Sequence, residues 1–529
     1  MMKYFRFIDG LRKFSKERME PEQAISMART MIKKRVQARE ENFLNLVEKG
    51  IFQYSGGPYK ELFKRRHIRF EDLKLWVGQD GIETSLHRLV REGIYFTVDE
   101  FKGRVPAVRD GMKFKCNPGI FDNPFLSYVY EVRSGATRSA GTRIRIDFDY
   151  LHQRSLYDAL LLDTHGCLTA PVANWFPIFP GAPGINSSLR FAHIGNAARR
   201  WFSQIDIDKV HGCWERKLAM RLVHALTDFY GCPLAKAEYA SLDDALKIAK
   251  WASQTLEENT NCVVYTFASP AVRVCMAASE AGLNLKGTKF LVTGEPLTPH
   301  KKSEIEVTGA SAISVYGISE AGVIAAGCDK PHSQSDHCHL YKDTTAVITH
   351  KTSVRYTGMT ADALLFTSIL YESPKLLLNV GMGDYGELDS DGCTCGFEQV
   401  GFDVHLSNLG SYEKLTGEGV TFVGTDFVWI IEKLLPETFG GKSSDYQVIE
   451  EEGDRSLTHL RLMISPRVGN VNETQVVSTF LRALLEGAEA RGWAQSGTDM
   501  WRQSNMLQIV RKDPIPTASG KVMPFHLIK

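Results

Sequence analysis

An aromatic ring and a carboxylate stand four residues apart in the stretch Ser314-Val315-Tyr316-Gly317-Ile318-Ser319-Glu320-Ala321-Gly322. The residues before them, Ala312-Ile313-Ser314-Val315, read as a β-branched strand end running into a glycine turn. In α/β proteins ligands bind beyond the carboxyl ends of parallel strands. There the Tyr316 face can stack on a purine, and Glu320 can hold a magnesium ion with its bound phosphates. Taken alone, these five residues are better read as a strand-turn-helix corner with no ligand. Their neighbours along the chain decide between the two.

The first neighbour is the run Ser134-Gly135-Ala136-Thr137-Arg138-Ser139-Ala140-Gly141-Thr142, set between Tyr128-Val129-Tyr130 and an alternating Ile144/Ile146 strand. Small residues such as Gly135 let backbone N–H groups close on an anion, and the Ser134 and Thr137 hydroxyls add donors. The spacing is not that of a P-loop, and a basic β-hairpin turn is the competing reading. A second neighbour is the buried-looking strand Lys289-Phe290-Leu291-Val292-Thr293, which ends in Gly294-Glu295-Pro296. Two successive strands would thus deliver their loops to one sheet edge. In Val380-Gly381-Met382-Gly383-Asp384-Tyr385-Gly386 the glycines permit a tight turn, and Asp384 suits two vicinal hydroxyls, as on a ribose. An ordinary Asp-containing hairpin turn would look the same. Finally, Pro514-Ile515-Pro516-Thr517-Ala518-Ser519-Gly520-Lys521 offers one lysine in a rigid-then-flexible loop; by composition it is an exposed tail.

Cysteine and histidine also cluster. Cys328 is followed by His332, His337, Cys338 and His339, and later by Cys393-Thr394-Cys395. Four nitrogen or sulfur ligands from two segments, one a tight Cys-x-Cys turn, suit tetrahedral Zn²⁺ in a structural role. Reduced cysteines and incidental histidines are the alternative.

These residues need elements to hold them. A chain of 529 residues exceeds one core and implies two or three domains. With 43% apolar, 24% charged and 10% aromatic residues it has an ordinary globular composition. A formal charge of +1 supplies no field for nucleic acid or an anionic membrane, and no apolar run reaches bilayer length. The first residues carry no signal-length apolar segment, and ten cysteines at this length are no disulfide framework, so a reducing cytoplasm is expected. Residues 1–120 read as mostly helical. One helix face runs through Ile25, Ala28, Ile32, Val36, Phe43, Val47 and Ile51, after Pro21 and up to Gly50. From about 150 to 290, helices alternate with short apolar strands: helix 242–257, strand 262–266, helix 270–282. That alternation predicts parallel-sheet α/β structure. After about 411–416 a helix over 426–435 stopped by Pro436, strands at 446–449 and 457–464, and a helix from Glu473 capped by Asn472 make a small α+β unit.

Taken in order, the stretches resemble the adenylate-forming superfamily of acyl-CoA synthetases, adenylation domains and luciferases. Residues 134–142 resemble its phosphate loop, Gly294-Glu295-Pro296 its mid-domain motif, and Tyr316-Gly317-Ile318-Ser319-Glu320 its Tyr-Gly-x-Thr-Glu motif. Asp384 falls on the ribose aspartate and Lys521 on the catalytic lysine of a Ser-Gly-Lys motif. Pro58-Tyr59-Lys60-Glu61-Leu62-Phe63-Lys64, with Ile68-Arg69-Phe70-Glu71-Asp72-Leu73 after it, looks like the opening of the phenylacetate-CoA ligase-like branch. That branch carries similar Cys and His pairs, which favours Cys328, His339, Cys393 and Cys395 as the zinc ligands. The chain departs from the pattern at Ser139 (usually Gly) and Gly141 (usually Pro), and it lacks the family's loop lysine and pre-hinge arginine.

The resemblance implies an α/β fold: a large domain (1–411) of parallel-sheet α/β subdomains and a small mobile α+β cap (412–529), hinged at Glu413 or Lys414. The implied reaction activates a carboxylic acid with ATP and Mg²⁺ as an acyl-adenylate, then transfers it to coenzyme A or to a carrier protein supplied in trans. Glu320 would anchor Mg²⁺, Thr137 and its neighbours would hold the β,γ-phosphates, Tyr316 would pack on adenine, and Lys521 would bridge carboxylate and α-phosphate. Gly294, Glu295, Pro296, Gly317 and Ser319 would complete the nucleotide site. Two other readings stand beside it: an adenylating enzyme with a non-thiol acceptor or an unusual oxyacid such as nitrite, and a non-catalytic nucleotide-binding homologue. A homodimer is compatible with all three. Trp175, Phe176, Phe267 and Ala268 could wall an aryl-acid pocket or be plain core.

Overall fold

The computed structural model describes residues 2–126, 130–133, 142–178, 183–206, 214–353, 360–412, 414–417, 420–423, 429–452, 458–489, 507–515 and 525–527. Two hairpins precede the main sheet. Strands β1 (Ala107–Arg109) and β2 (Met112–Phe114) form the first, and β3 (Tyr130–Arg133) and β4 (Arg143–Ile146) the second. The run 134–141 that joins β3 to β4, with Ser134, Gly135 and Thr137, lies outside the described residues.

The main sheet has a parallel half and an antiparallel half. The parallel half comprises β5 (Val172–Trp175), β6 (Arg200–Ser203), β7 (Ala237–Tyr239), β8 (Cys262–Phe267), β9 (Thr288–Thr293) and β10 (Ser311–Ile318). Their spatial order is 10-9-8-5-6-7, all neighbours parallel. That is a doubly wound order, with its reversal between β5 and β8. The central strand β8 is buried on both faces from end to end, whereas the edge strand β7 is not. Helices such as Ala245–Glu258 and Ala268–Glu280 pack against them.

On the other side of β10 the sheet changes character. It continues through β11 (Gly322–Ala326), β12 (Cys338–Leu340), β16 (His405–Ser411), β15 (Val380–Asp389), β14 (Thr360–Ser368) and β13 (Thr345–Ser353), each pair antiparallel. The helical opening of the chain covers this half: Leu73, Val77, Leu86 and Leu89 of helix Phe70–Arg91 share a core with Val347, Leu365 and Phe366. After β16 come a small hairpin, β17 (Lys414–Gly417) with β18 (Val420–Val423), and a four-stranded sheet. The latter holds β19 (Tyr446–Glu452), β20 (Thr458–Ile464), β21 (Leu507–Val510) and β22 (Phe525–Leu527) in the order 21-20-19-22. The architecture is thus α/β, a large N-terminal body followed by a smaller α+β unit.

Several local readings change. The single amphipathic face over 25–51 is broken at Ala38 into helices Pro21–Gln37 and Arg39–Val47, followed by a π-turn over Glu48–Phe52. Helix Leu435–Phe439 runs past Pro436 instead of stopping there. A π-turn (Ile430–Leu434) precedes it, and Pro436 occupies one of its first positions, where a missing N–H costs little. The stretch 380–386 is part of a ten-residue strand, not a turn: Gly383 takes a positive φ of 89° and a bulge falls between Tyr385 and Glu387. Asn472 does cap the last long helix, its side chain accepting from the Gln475 N–H at 3.1 Å.

Candidate functional site

β10 borders both halves of the sheet, and it carries the residues singled out first. Gly317 lies inside this strand, and the turn falls at Ser319–Ala321, followed by β11 and not by a helix. Gly322 makes the return possible, with φ +84°; a Cβ there would meet the Tyr150 hydroxyl. Gly317 has no room either: a Cβ would lie 2.7 Å from the Gly322 carbonyl oxygen and 2.9 Å from Val323 Cα. These are backbone atoms that no rotamer change can move. We therefore expect Gly317→Ala to destabilise by about 1–3 kcal/mol, the range for forced overpacking. Urea unfolding measures it, and a loss below about 0.5 kcal/mol would show that the β10–β11 pair gives way freely.

The Tyr316 phenol donates to Asp384 Oδ2 at 2.9 Å. Burial, and then the facing carboxylate, raise its pKa well above the ordinary value, so it stays a donor. This contact also fixes the shape of the site. In the sheet, β10 and β15 are separated by β11, β12 and β16. At about 4.8 Å per strand a flat sheet would hold them roughly 19 Å apart. The antiparallel half must therefore curl back on itself between β10 and β15, and bulges at Tyr316/Gly317 and Tyr385/Glu387 lie at the two ends of that span.

Glu320, 5% exposed, is met by Lys102, whose Nζ donates to Oε1 at 2.9 Å. The same ammonium donates to the hydroxyl of Thr142, the last residue of the small-residue run. Lys102 follows the one-turn helix Val98–Phe101, which Thr97 and Glu100 close with a capping box. Nothing in its local sequence signals this placement. Arg143, by contrast, is occupied by Asp122 at 2.5 Å.

Glu295 faces inward. Its Oε2 accepts from the Ser269 N–H at 3.1 Å, the Ser269 hydroxyl at 2.5 Å and Lys301 Nζ at 3.4 Å. A carboxylate there complements the N-terminus of helix Ala268–Glu280 and locks the β9 loop to the β8 loop. Gly294 (φ +75°) packs on the Phe267 ring. Trp175, Phe176, Phe267 and Ala268 cluster at the carboxyl ends of β5 and β8, on either side of the reversal. All are buried, the Trp175 indole donates to the Ala240 carbonyl, and Phe176 sits edge-on to Tyr265 and Phe267. Lys521 and Glu413 lie outside the described residues, and of Lys414 only the backbone is described.

The structure brings Cys328, His339, Cys393 and Cys395 together, one ligand atom from each within 4.8 Å of the others. Cys328 follows β11, His339 is central in β12, and the two other thiols come from the loop after β15. Cys328 and Cys393 sulfurs are 3.8 Å apart, and Cys395 Sγ is 3.2 Å from His339 Nε2. His339 Nδ1 lies 2.7 Å from the Phe402 carbonyl, a bond that places the proton on Nδ1 and turns Nε2 to the thiols. The bond with Cys328, then that with His339, favours the thiolate at Cys395, while the Cys328 thiol is pushed up. Three sulfurs and one imidazole nitrogen match a closed tetrahedral zinc site in donor type and number.

No protein-family model and no curated protein sequence matches the chain. Solved structures do. A 2-hydroxyisobutyryl-CoA ligase, solved with 2-HIB-AMP and coenzyme A in the thioesterification state, is similar over 93% of this chain and 90% of its own, at 12% identity and a TM-score of 0.53. A malonyl-CoA ligase aligns over 74% of this chain and 72% of its own (12% identity, TM-score 0.40). The amide bond synthetase McbA of Marinactinospora thermotolerans aligns over 79% and 71% (11% identity, TM-score 0.39). The first of these shows that the fold is shared along nearly the whole chain. Among the described residues no helix is long and apolar enough to cross a membrane.

Proposed function

We propose that this chain, which has the fold of a 2-hydroxyisobutyryl-CoA ligase, activates a carboxylic acid with ATP as an acyl-adenylate and passes the acyl group to a thiol. The observation that carries this reading is the convergence of Tyr316, Asp384, Glu320, Lys102 and Thr142 around the bend between the two halves of the sheet. Tyr316 and Asp384 supply an aromatic face and an ionised acceptor for the adenosine. Glu320 would hold Mg²⁺, which neutralises phosphate charge when bound. Lys102 brings an ammonium beside the end of the loop 134–142, where the resembling family has a lysine of its own. The carboxylate attacks the α-phosphate and pyrophosphate leaves; the protein contributes alignment and charge neutralisation.

The unit 412–529 acts in this reading as a cap hinged at Glu413–Lys414, which carries Lys521 to the α-phosphate and then away. A zinc ion held by Cys328, His339, Cys393 and Cys395 pins the loops after β11 and β15 to β12. In this reading Trp175 and Phe176, both fully buried, would back the wall of the acyl pocket as core residues.

Pyrophosphate release with a panel of aryl and alkyl acids tests adenylation, and its absence across the panel would leave a nucleotide-binding protein only. Adding coenzyme A, a carrier protein or an amine then identifies the acceptor. Asp384→Ala removes a charge-assisted acceptor and is expected to weaken ATP binding by roughly 1.5–3 kcal/mol, about 10- to 150-fold. Because Tyr316 also loses its partner, Tyr316→Phe is the control: it leaves the carboxylate in place and should cost much less. Equal ATP affinity in Asp384→Ala and the parent protein would rule out the ribose role.

A further inference from the structure

Beside the thiol cluster stands a second group of donors, which neither the adenylation reading nor the zinc site uses. β-Sheet register sets it up. His405 on β16 is directly opposite His339 on β12, and also directly opposite Asp389 on β15. Directly opposite residues share a face of the sheet. His337 is two residues from His339, so it shares that face as well. The outcome is a row Asp389–His405–His339 across three strands, with His337 alongside. The His405 ring is 4.5 Å from that of His337 and 4.3 Å from that of His339.

Donor atoms of His337, Asp389 and His405 all lie within 4.8 Å of one another. His405 Nδ1 is 3.0 Å from Asp389 Oδ1. Two ring nitrogens in this group, His337 Nδ1 and His405 Nε2, are buried and have no hydrogen-bond partner among the described residues. Such atoms are costly to leave unsatisfied, and the group is not closed off from solvent, since the Asp389 side chain is 36% exposed. His405 Nδ1 and Asp389 Oδ1, already 3.0 Å apart, beside a buried His337 ring whose Nδ1 has no partner among the described residues, are the arrangement a divalent cation satisfies.

We propose that His337, His405 and Asp389 form a second cation site, next to the Cys328/His339/Cys393/Cys395 site and chemically different from it. Two imidazoles and one carboxylate suit a borderline transition-metal ion such as Zn²⁺, Co²⁺ or Ni²⁺. Electrostatics favour the pairing. Three thiolates around one divalent ion leave the first site with a formal charge of −1, so a cation alongside is attracted and not repelled. His332 joins the two sites: its Nε2 lies 3.2 Å from Cys328 Sγ, and its ring stacks on His337 at 3.6 Å. Three protein ligands leave coordination positions for water at the Asp389 side, so this ion exchanges where the four-ligand ion does not.

Cobalt separates the sites, because only the thiol site gives thiolate-to-metal charge transfer. The metal-stripped full-length protein is titrated with Co²⁺. The first equivalent is expected to raise the charge-transfer band; the second adds ligand-field absorption without it, and metal analysis after desalting finds two ions per chain. In Asp389→Ala and in His337→Ala the second equivalent should be lost while the charge-transfer band of the first persists. That band also shows that the variants are folded. One ion per chain in the parent protein, or a second ion retained in both variants, overturns the proposal. Neither result bears on adenylation, which pyrophosphate release measures separately.

Discussion

Lys521→Ala is expected to slow acyl-adenylate formation by about 10²–10³-fold, the usual cost of one preorganised electrostatic contact to a transition state. The residue stands eight positions before Lys529 in the sequence, after Pro514 and Pro516. A purely structural lysine there would be nearly silent. In the proposed mechanism its ammonium acts only when acid and α-phosphate are brought together. ATP affinity should therefore change little, while the rate of pyrophosphate release falls. Thioester formation from synthetic acyl-adenylate should survive, because the cap has by then carried the lysine away. An equal fall in both half-reactions would remove Lys521 from the adenylation step. No fall in either would remove the whole C-terminal loop from the site.

Cys395→Ser should abolish zinc at the thiol site and lower stability by more than about 4 kcal/mol, a size reached mainly by losing a metal, a disulfide or a large core group. Cys395 is buried and its sulfur faces His339 Nε2. Serine keeps the volume but is a far poorer zinc ligand, and it leaves His339 aimed at nothing. In small zinc domains the metal supplies about 10–16 kcal/mol of apparent binding energy. Here only part of that appears as stability, because Tyr341, Phe397 and Phe402 still pack together without it. Thermal unfolding of parent, chelator-treated parent and Cys395→Ser gives the check: the last two should both lie several degrees below the first. If chelation leaves the midpoint unchanged, or the serine variant retains full zinc at the thiol site, the zinc is not structural.

Much of the parallel half was legible because its strands are short, apolar and bounded by helices. Strands at 262–266 and 289–293 and a helix over 242–257 fall within a few residues of what the structure shows. The antiparallel half was not. Gly317, Gly383 and Gly386 suggested turns, yet in a curled sheet glycine serves bulges and close backbone contact inside strands. The four thiol-site ligands could be singled out only through the resemblance, since the sequence gives two separate segments and seven candidate donors. Lys102 was invisible: it lies 218 residues from Glu320, and no local pattern records such a pairing. His405 and Asp389 were missed because their role comes from register, and cross-strand register is a property of paired strands, not of one segment.

The curl that joins Tyr316 to Asp384 also dictates when the site comes into being. Their hydrogen bond spans 68 residues. Closing a chain loop of that length costs roughly 4 kcal/mol of conformational entropy by the (3/2)RT ln n relation, whereas one hydrogen bond returns only about 1 kcal/mol. The contact cannot draw the two ends together by itself; β11, β12, β16 and the bulges must already be paired. As the chain leaves the ribosome, β10 with its tyrosine and glutamate emerges first and waits, without its aspartate, until β16 has been made and inserted between β12 and β15. The tyrosine is thus made well before the aspartate that it meets, and the pair closes only after residue 411.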